Sequence, residues 1–287
     1  MSRNKNLERQ KPSIGIIGNG FVGSAIANGF ALHANVRIYD VNPERSTHSF
    51  TETVNNSDVM FLSVPTPMKM TNGEIDLSIM DSAVSDIANA NKRHDNVLVI
   101  KSTVVPGTVE KYVDQYPGLN IVFSPEFLTE RAATLDFINA SRVVLGGNTE
   151  NVEKVESVFR SRFPYKRIIK TDLTTAQFTK YMANCFFSTK ISFMNEMKQA
   201  ADAMSVDWEK AMEGFVADGR IGNSHLDVPG HDGSLGFGGK CFPKDLNAFI
   251  KSLESSGVSP TVLKAVWEKN MEVRKYHDWL EIDGATS

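Results

Sequence analysis

Between residues 13 and 40 the chain reads as apolar strand, glycine-rich turn, helix, second strand and acid, and this order constrains the fold more than any other feature. Ser13, Ile14, Gly15, Ile16 and Ile17 form a short run rich in β-branched residues, as in a buried parallel strand. It leads into Gly18-Asn19-Gly20-Phe21-Val22-Gly23, a full G-x-G-x-x-G, and Ala25, Ile26, Ala27, Phe30 and Ala31 continue at helical spacing behind it. The next strand, Val36 to Asp40, ends on an acid 20 residues after Gly20. A carboxylate there can accept hydrogen bonds from the adenosine ribose of a dinucleotide. It also repels a 2′-phosphate, which favours NAD over NADP, and Arg45 five residues later is the one nearby charge that could offset it. Taken alone the glycine pattern is weak. With strand, helix and acid in register it predicts a dinucleotide-binding domain that uses Gly18, Gly20, Phe21, Val22, Gly23, Asp40 and Arg45.

Further strands follow at α/β spacing over residues 59–64, 96–100, 121–123 and 143–145, with helical stretches around 77–90 and 152–163. The alternation predicts a doubly wound parallel sheet, in which ligands bind beyond the carboxyl ends of the strands. Three strand-end segments therefore matter: Val64-Pro65-Thr66-Pro67, Lys101-Ser102-Thr103 and Ser124-Pro125-Glu126-Phe127-Leu128-Thr129-Glu130. Each also reads as an ordinary capped turn. From Asp172, a plausible N-cap, to about Ser205 the chain carries no glycine or proline, which predicts one long helix. Its apolar set, including Phe178, Tyr181, Met182, Cys185, Phe186 and Met194, is too broad for one exposed face and suits burial against both the first domain and a second subunit. Lys180 and Asn184 stack one turn apart on that helix, where they could stabilise an alkoxide or simply form a solvated i,i+4 contact.

The expected organisation is α/β: a flexible tail over 1–12, a Rossmann-like domain over 13–171, an α-helical central domain over 172–280, and a tail over 281–287. A formal charge of −3 gives no basic surplus for nucleic acid. Two cysteines, Cys185 and Cys241, are no disulfide framework and fit a reducing, cytoplasmic setting. No apolar run approaches the roughly 20 residues needed to span a bilayer, so no membrane partner is expected. Histidine and cysteine are few and not at ligand spacing, so no metal is implied.

The remaining chemistry concentrates in Leu235-Gly236-Phe237-Gly238-Gly239-Lys240-Cys241-Phe242-Pro243-Lys244-Asp245. Glycines let a backbone approach a ligand closely, and a thiol between two lysines should favour its thiolate, the form a nucleophile needs. Asp245 could orient a substrate hydroxyl or relay a proton. The bland alternative is a glycine-rich turn with a core cysteine.

This segment, the three strand ends in order, the Lys180/Asn184 pair and Asp218-Gly219-Arg220-Ile221-Gly222 together resemble the nucleotide-sugar dehydrogenases of the UDP-glucose 6-dehydrogenase type, over about residues 13 to 276. The resemblance implies NAD-dependent oxidation of a sugar primary alcohol to a carboxylate in two hydride transfers, through a cysteine thioester on Cys241. It implies catalytic roles for Cys241, Lys180, Asn184, Asp245, Glu126 and Thr103, and cofactor contacts from Thr66, Thr103 and Glu130. The substrate, a nucleotide-sugar, would meet Phe127, Leu128, Lys180, Asn184, Phe237, Gly238 and Gly239, with Arg220 reaching it across a homodimer interface built on the central helix. Two positions depart from the usual pattern: Arg131 stands where glycine is common, and Lys240 where serine or histidine precedes the cysteine. The family continues through a long connecting helix into a third, nucleotide-holding domain; Thr261 to Trp279 reads as the start of that helix. The Lys/Asn pair is shared with one-step hydroxyacid dehydrogenases, which leaves that chemistry, and an NAD-binding subunit without turnover, as alternatives.

Overall fold

A computed structural model describes residues 11–287; the expected tail over 1–12 lies almost wholly outside them. Two compact units are present. One reaches to Pro65 and resumes over Ser78–Phe178; the other comprises Thr66–Leu77 and Thr179–Ser287.

The first unit is the expected α/β layer structure. Strands β1 (Ser13–Ile17), β2 (Asn35–Tyr39), β3 (Val59–Leu62), β4 (Val97–Ile100), β5 (Asn120–Phe123), β6 (Arg142–Gly146) and β7 (Arg167–Thr171) form one sheet in the order β2-β1-β3-β4-β5-β6-β7. Between them run α1 (Phe21–Phe30), α2 (Phe50–Asn55), α3 (Ser78–Ala90), α4 (Thr108–Gln115), α5 (Ala133–Asn139) and α6 (Thr149–Arg162). The parallel expectation holds for every adjacent pair but one: β6 meets β5 antiparallel, at Phe123 and Gly146. β7 has no counterpart among the sequence-predicted strands, because Arg167, Lys170 and Thr171 break its apolar run and much of it is exposed at the sheet edge.

The central strands explain the fold's stability. All four residues of β3 are fully buried. Val59 and Phe61 join a core with α1, α5 and α6, while Met60 and Leu62, of opposite orientation, are equally buried outside that cluster, so both sheet faces are covered. Phe30 sits in the middle of that core, with the rings of Phe61, Phe137, Phe159 and Phe163 all within 5.6–6.2 Å of it. Ridges of this kind hold the strand ends, and hence the glycine turn after β1, in place.

The second unit is built on the long helix α7 (Leu173–Ala203), with α8 (Trp208–Val216), α9 (Phe242–Ser255) and α10 (Thr261–Val273). Asp172 caps α7 as expected: its Oδ1 accepts from the Thr175 amide at 2.8 Å. α10 does not run on to Trp279. It stops at Val273 because Arg274 turns extended and its guanidinium is drawn into ion pairs with Asp232 and Asp278. Residues 281–287, expected as a tail, are held instead: the Ser287 amide donates to the Met68 carbonyl, the Met68 amide donates to the Ala285 carbonyl, and Ala285 packs with Met68 and Trp279 in a small apolar cluster. Among the described residues no helix is long and apolar enough to cross a membrane.

Candidate active site

In the first unit the glycine turn is shaped for a dinucleotide. Gly18 has φ +87°, a left-handed conformation that favours glycine. A Cβ on Gly23 would lie 2.0 Å from the Gly18 carbonyl oxygen, so only glycine lets α1 start this close to β1. A Cβ on Gly20 would meet nothing within 4 Å, so that face of the turn is open. Gly20 gives α1 no side-chain cap and no acid stands in the first turn, which leaves the helix's amide donors and its positive end suited to a pyrophosphate. Asp40 closes the site: its Oδ2 accepts from the Asn19 amide at 2.7 Å and its Oδ1 from the Asn42 amide at 2.9 Å. These bonds orient the carboxylate and leave lone pairs for ribose hydroxyls. Arg45 is exposed, and its carbonyl accepts from the Asn19 side chain. Phe21 and Val22 pack against the core rather than serving only the turn. The residues present fit NAD.

The same unit carries the strand-end set. Thr103 and Glu126 are buried, at the ends of β4 and β5. The Glu126 carboxylate accepts from the Leu128 amide at 2.7 Å, which fixes the turn between them. Below it lies a residue to which the sequence assigns no role of its own: Lys101 is 5% exposed and donates to Ser124 Oγ at 3.1 Å and the Pro125 carbonyl at 3.0 Å. Its only sequence signal is a cation directly after the four apolar residues of β4. Arg142 stacks on the Phe127 ring at 3.8 Å, where burial pushes its guanidinium pKa down. Leu128 packs against the core and Glu130 is exposed. Arg131 lies in a 3-10 turn, Glu130–Ala132, away from the left-handed region, so the departure from glycine there costs no backbone strain.

In the second unit α9 opens on Cys241 as its N-cap, with Pro243 in the first turn. The positive end of a helix is where a thiolate is favoured. Both lysines that flank the cysteine make bonds of their own. Lys244 Nζ is buried and bonds Asp245 Oδ1 at 2.5 Å; Lys240 Nζ bonds the Asp283 carbonyl at 2.9 Å. Asp245, 1% exposed, takes its second bond from Asn184 Nδ2 at 2.6 Å. Asn184 and Lys180 are themselves buried, so their pairing is not a solvated contact. Burial, reinforced by the Asp245 charge, pushes up the Tyr181 phenol and the Cys185 thiol. Cys185 is thereby kept as a thiol, and Cys241 is the cysteine suited to act as nucleophile.

The polar face of α7 is longer than Lys180 and Asn184. Ser188, Ser192 and Asn195 continue it, all buried, at spacings of four and three. Their signal was the repeat of small polar residues inside an apolar helix. Asn195 Oδ1 accepts from the Gly236 amide at 3.1 Å, which ties this stripe to the cysteine loop. In that loop Phe237 is buried, and its amide and carbonyl are both bonded by the Asn270 side chain, at 2.7 and 3.0 Å. The Gly239 amide donates to Asp278 at 2.9 Å. Of the glycine-loop amides expected to face a ligand, those of Gly236, Phe237 and Gly239 are committed to side chains. Thr66 is buried. Arg220 is highly exposed and pairs with Asp218, which raises its pKa.

Comparison with known proteins bears on what this geometry serves. Residues 44–162 match the NAD binding domain, and residues 174–272 the central domain, of the UDP-glucose/GDP-mannose dehydrogenase family. UDP-glucose 6-dehydrogenase AglM of Haloferax volcanii is 30% identical, over 90% of this chain and 69% of that protein. The chain belongs to the UDP-glucose/GDP-mannose dehydrogenase family. UDP-glucose 6-dehydrogenase TuaD of Bacillus subtilis is 33% identical over 79% of this chain. A UDP-glucose dehydrogenase structure from Pyrobaculum islandicum superposes with a TM-score of 0.80 at 30% identity, covering 95% of this chain and 70% of that one. This family member spans about half the length of TuaD, 49%. The family's NAD binding domain runs from the 3-10 turn after β2 through α6, taking in Thr66–Leu77 of the second unit, and its central domain runs from the start of α7 nearly to the end of α10.

Proposed function

We propose that this chain oxidises the primary alcohol of a nucleotide-sugar, UDP-glucose to UDP-glucuronate, in two hydride transfers. The observation that carries the reading is the first turn of α9, where Cys241 caps the helix and Asp245, one turn on, is joined to Asn184 of α7. Gly18, Gly20, Gly23, Asp40 and the open start of α1 hold NAD, with Thr66, Thr103, Glu130 and Arg45 as further contacts. Bound there, the nicotinamide ring is the hydride acceptor.

The chain's own residues manage the rest. Lys180 and Asn184 stabilise the oxyanion as the alcohol loses its proton and hydride. The aldehyde so formed is attacked by the Cys241 thiolate, making a carbon–sulfur bond and a thiohemiacetal. Loss of a second hydride and the hydroxyl proton gives the thioester. Water, oriented by Thr103, Glu126 or Asp245, then breaks the carbon–sulfur bond and returns the thiolate with the carboxylate product. The bond from the buried Lys244 holds the Asp245 carboxylate correctly turned for its part. Phe127, Leu128, Phe237, Gly238 and Gly239 shape the substrate's surroundings.

The working form is a homodimer. On α7, Phe178, Met182, Phe186 and Phe193 are 44–60% exposed at helical spacing, an apolar stripe that a second copy would cover. Arg220, already at the surface, then reaches the partner's substrate. The chain acts in the cytoplasm, where thiols stay reduced.

NADH yield with limiting UDP-glucose tests this reading in the purified chain and in Cys241→Ser. Two NADH per sugar are expected, with the variant stalled or inactive. One NADH per sugar and an active Cys241→Ser would replace it with a one-step dehydrogenase.

A further inference from the structure

The loop before Cys241 is gripped residue by residue from outside. Asn195 Oδ1 takes the Gly236 amide, and Asn270 takes both the amide and the carbonyl of Phe237. Asp278 Oδ2 takes the Gly239 amide at 2.9 Å, two residues before the thiol. The other oxygen of Asp278 bonds the Arg274 guanidinium at 2.9 Å, and the same guanidinium reaches Asp232 at 2.8 Å and the Leu235 carbonyl at 3.5 Å. Arg274 and Asn270 are 3% and 0% exposed. The glycines make room for these side chains: a Cβ on Gly236 would lie 2.3 Å from Asn270 Oδ1, and one on Gly238 2.2 Å from both Arg274 and Asp278. Asp278 is anchored in turn by its neighbour Trp279, buried against Met68 and Ala285.

We infer that Asn270, Arg274 and Asp278 are positioning residues for Cys241: they set the path of the loop that delivers the thiol to the start of α9, without touching substrate. The inference rests on Cys241 being the nucleophile. It also accounts for the early end of α10, since Arg274 must leave the helix to reach Asp232 and to donate through Nε to the Tyr276 carbonyl.

The test compares the full chain with Asp278→Ala and Arg274→Lys. Three readouts are taken: amide exchange of peptides spanning 235–241, iodoacetamide labelling of Cys241 against Cys185, and steady-state NADH formation from UDP-glucose. Asp278→Ala is expected to exchange about tenfold faster over this loop, the effect of losing one backbone hydrogen bond. Cys241 is expected to label about fivefold faster while buried Cys185 stays protected. kcat should fall about 100-fold with KM changed less than about threefold, as for a displaced reacting group. Arg274→Lys should move every readout in the same direction by a smaller factor. Unchanged exchange and labelling in Asp278→Ala overturns the inference, as does a rise in KM at constant kcat. Should Asp278→Ala unfold, labelling Cys185 as well, Arg274→Lys decides, and wild-type loop exchange in that variant overturns it. Absence of NADH formation by the wild type would defeat the proposed reaction, and exchange and labelling would still judge the clamp.

Discussion

Two glycine-rich turns, each running into a helix, look alike on paper and are used in opposite ways. At Gly18-x-Gly20-x-x-Gly23 the missing side chains clear the helix start: Gly20 faces open space and α1 has no cap of its own. At Gly236 and Gly238, before Cys241, the space is filled from within the protein, by Asn270, Arg274 and Asp278. We propose the first turn as a receptor for a ligand's oxygens and the second as a mount for a side chain. Glycine density before a helix therefore says only that backbone is approached closely. What approaches it decides the function, and that partner can lie in the ligand or some thirty-five residues along the chain.

The largest expected effect comes from filling the mount. Gly236→Ala puts a Cβ 2.3 Å from an oxygen that is already bonded to the Phe237 amide, at a residue with φ +69°. Asn270 cannot retreat without leaving both Phe237 groups unbonded, so about 2–4 kcal/mol should be lost. Urea unfolding followed through the second unit's tryptophans, Trp208, Trp267 and Trp279, reads this directly. A midpoint equal to wild type would mean the loop is not gripped.

Gly20→Ala sharpens the other half. The added methyl meets no protein atom, so stability should stay within about 0.5 kcal/mol of wild type. It does occupy space that a pyrophosphate would use, and NADH affinity by fluorescence titration should fall about tenfold, or 1.4 kcal/mol. A variant that loses stability but keeps affinity would reverse the assignment of the two turns.

How much of this could be read beforehand follows the same division. The first turn was legible because everything that defines it is local: β1, Gly18, Gly23 and the acid at the end of β2 lie within thirty residues. The long helix and the Asp172 cap were legible for the same reason. β7 was not, since an edge strand with Arg167 and Lys170 carries little apolar pattern. The sequence places Lys244 beside the thiol, three residues on, but does not show that its ammonium also bonds the carboxylate of its own neighbour, Asp245. Nothing local marks Asn270, Arg274 or Asp278. Their role comes from tertiary packing, and the continued helix expected through Trp279 gave way to the ion pairs and backbone bonds that Arg274 makes outside it.

The smallest effect tests the outer end of the mount by acid. Burial works against ionisation of Asp232, but hydrogen bonds from Arg274 and from the Ser234 amide outweigh it and hold its carboxyl below the ordinary carboxylate value. The folded carboxyl thus gives up its proton more readily than the unfolded one. Its stabilising contribution is complete above the unfolded value near 3.8 and is lost as pH falls through the lower folded value. Over a third of the Asp232 side chain is exposed, so solvent screens the pair and the contribution is modest. Asp232→Asn should accordingly lose part of the acid slope of stability below pH 4 and, at neutral pH, exchange its 235–241 amides only slightly faster than wild type. Identical acid slopes in the two proteins would detach Asp232 from the clamp and leave Asp278 as the anion that holds Arg274.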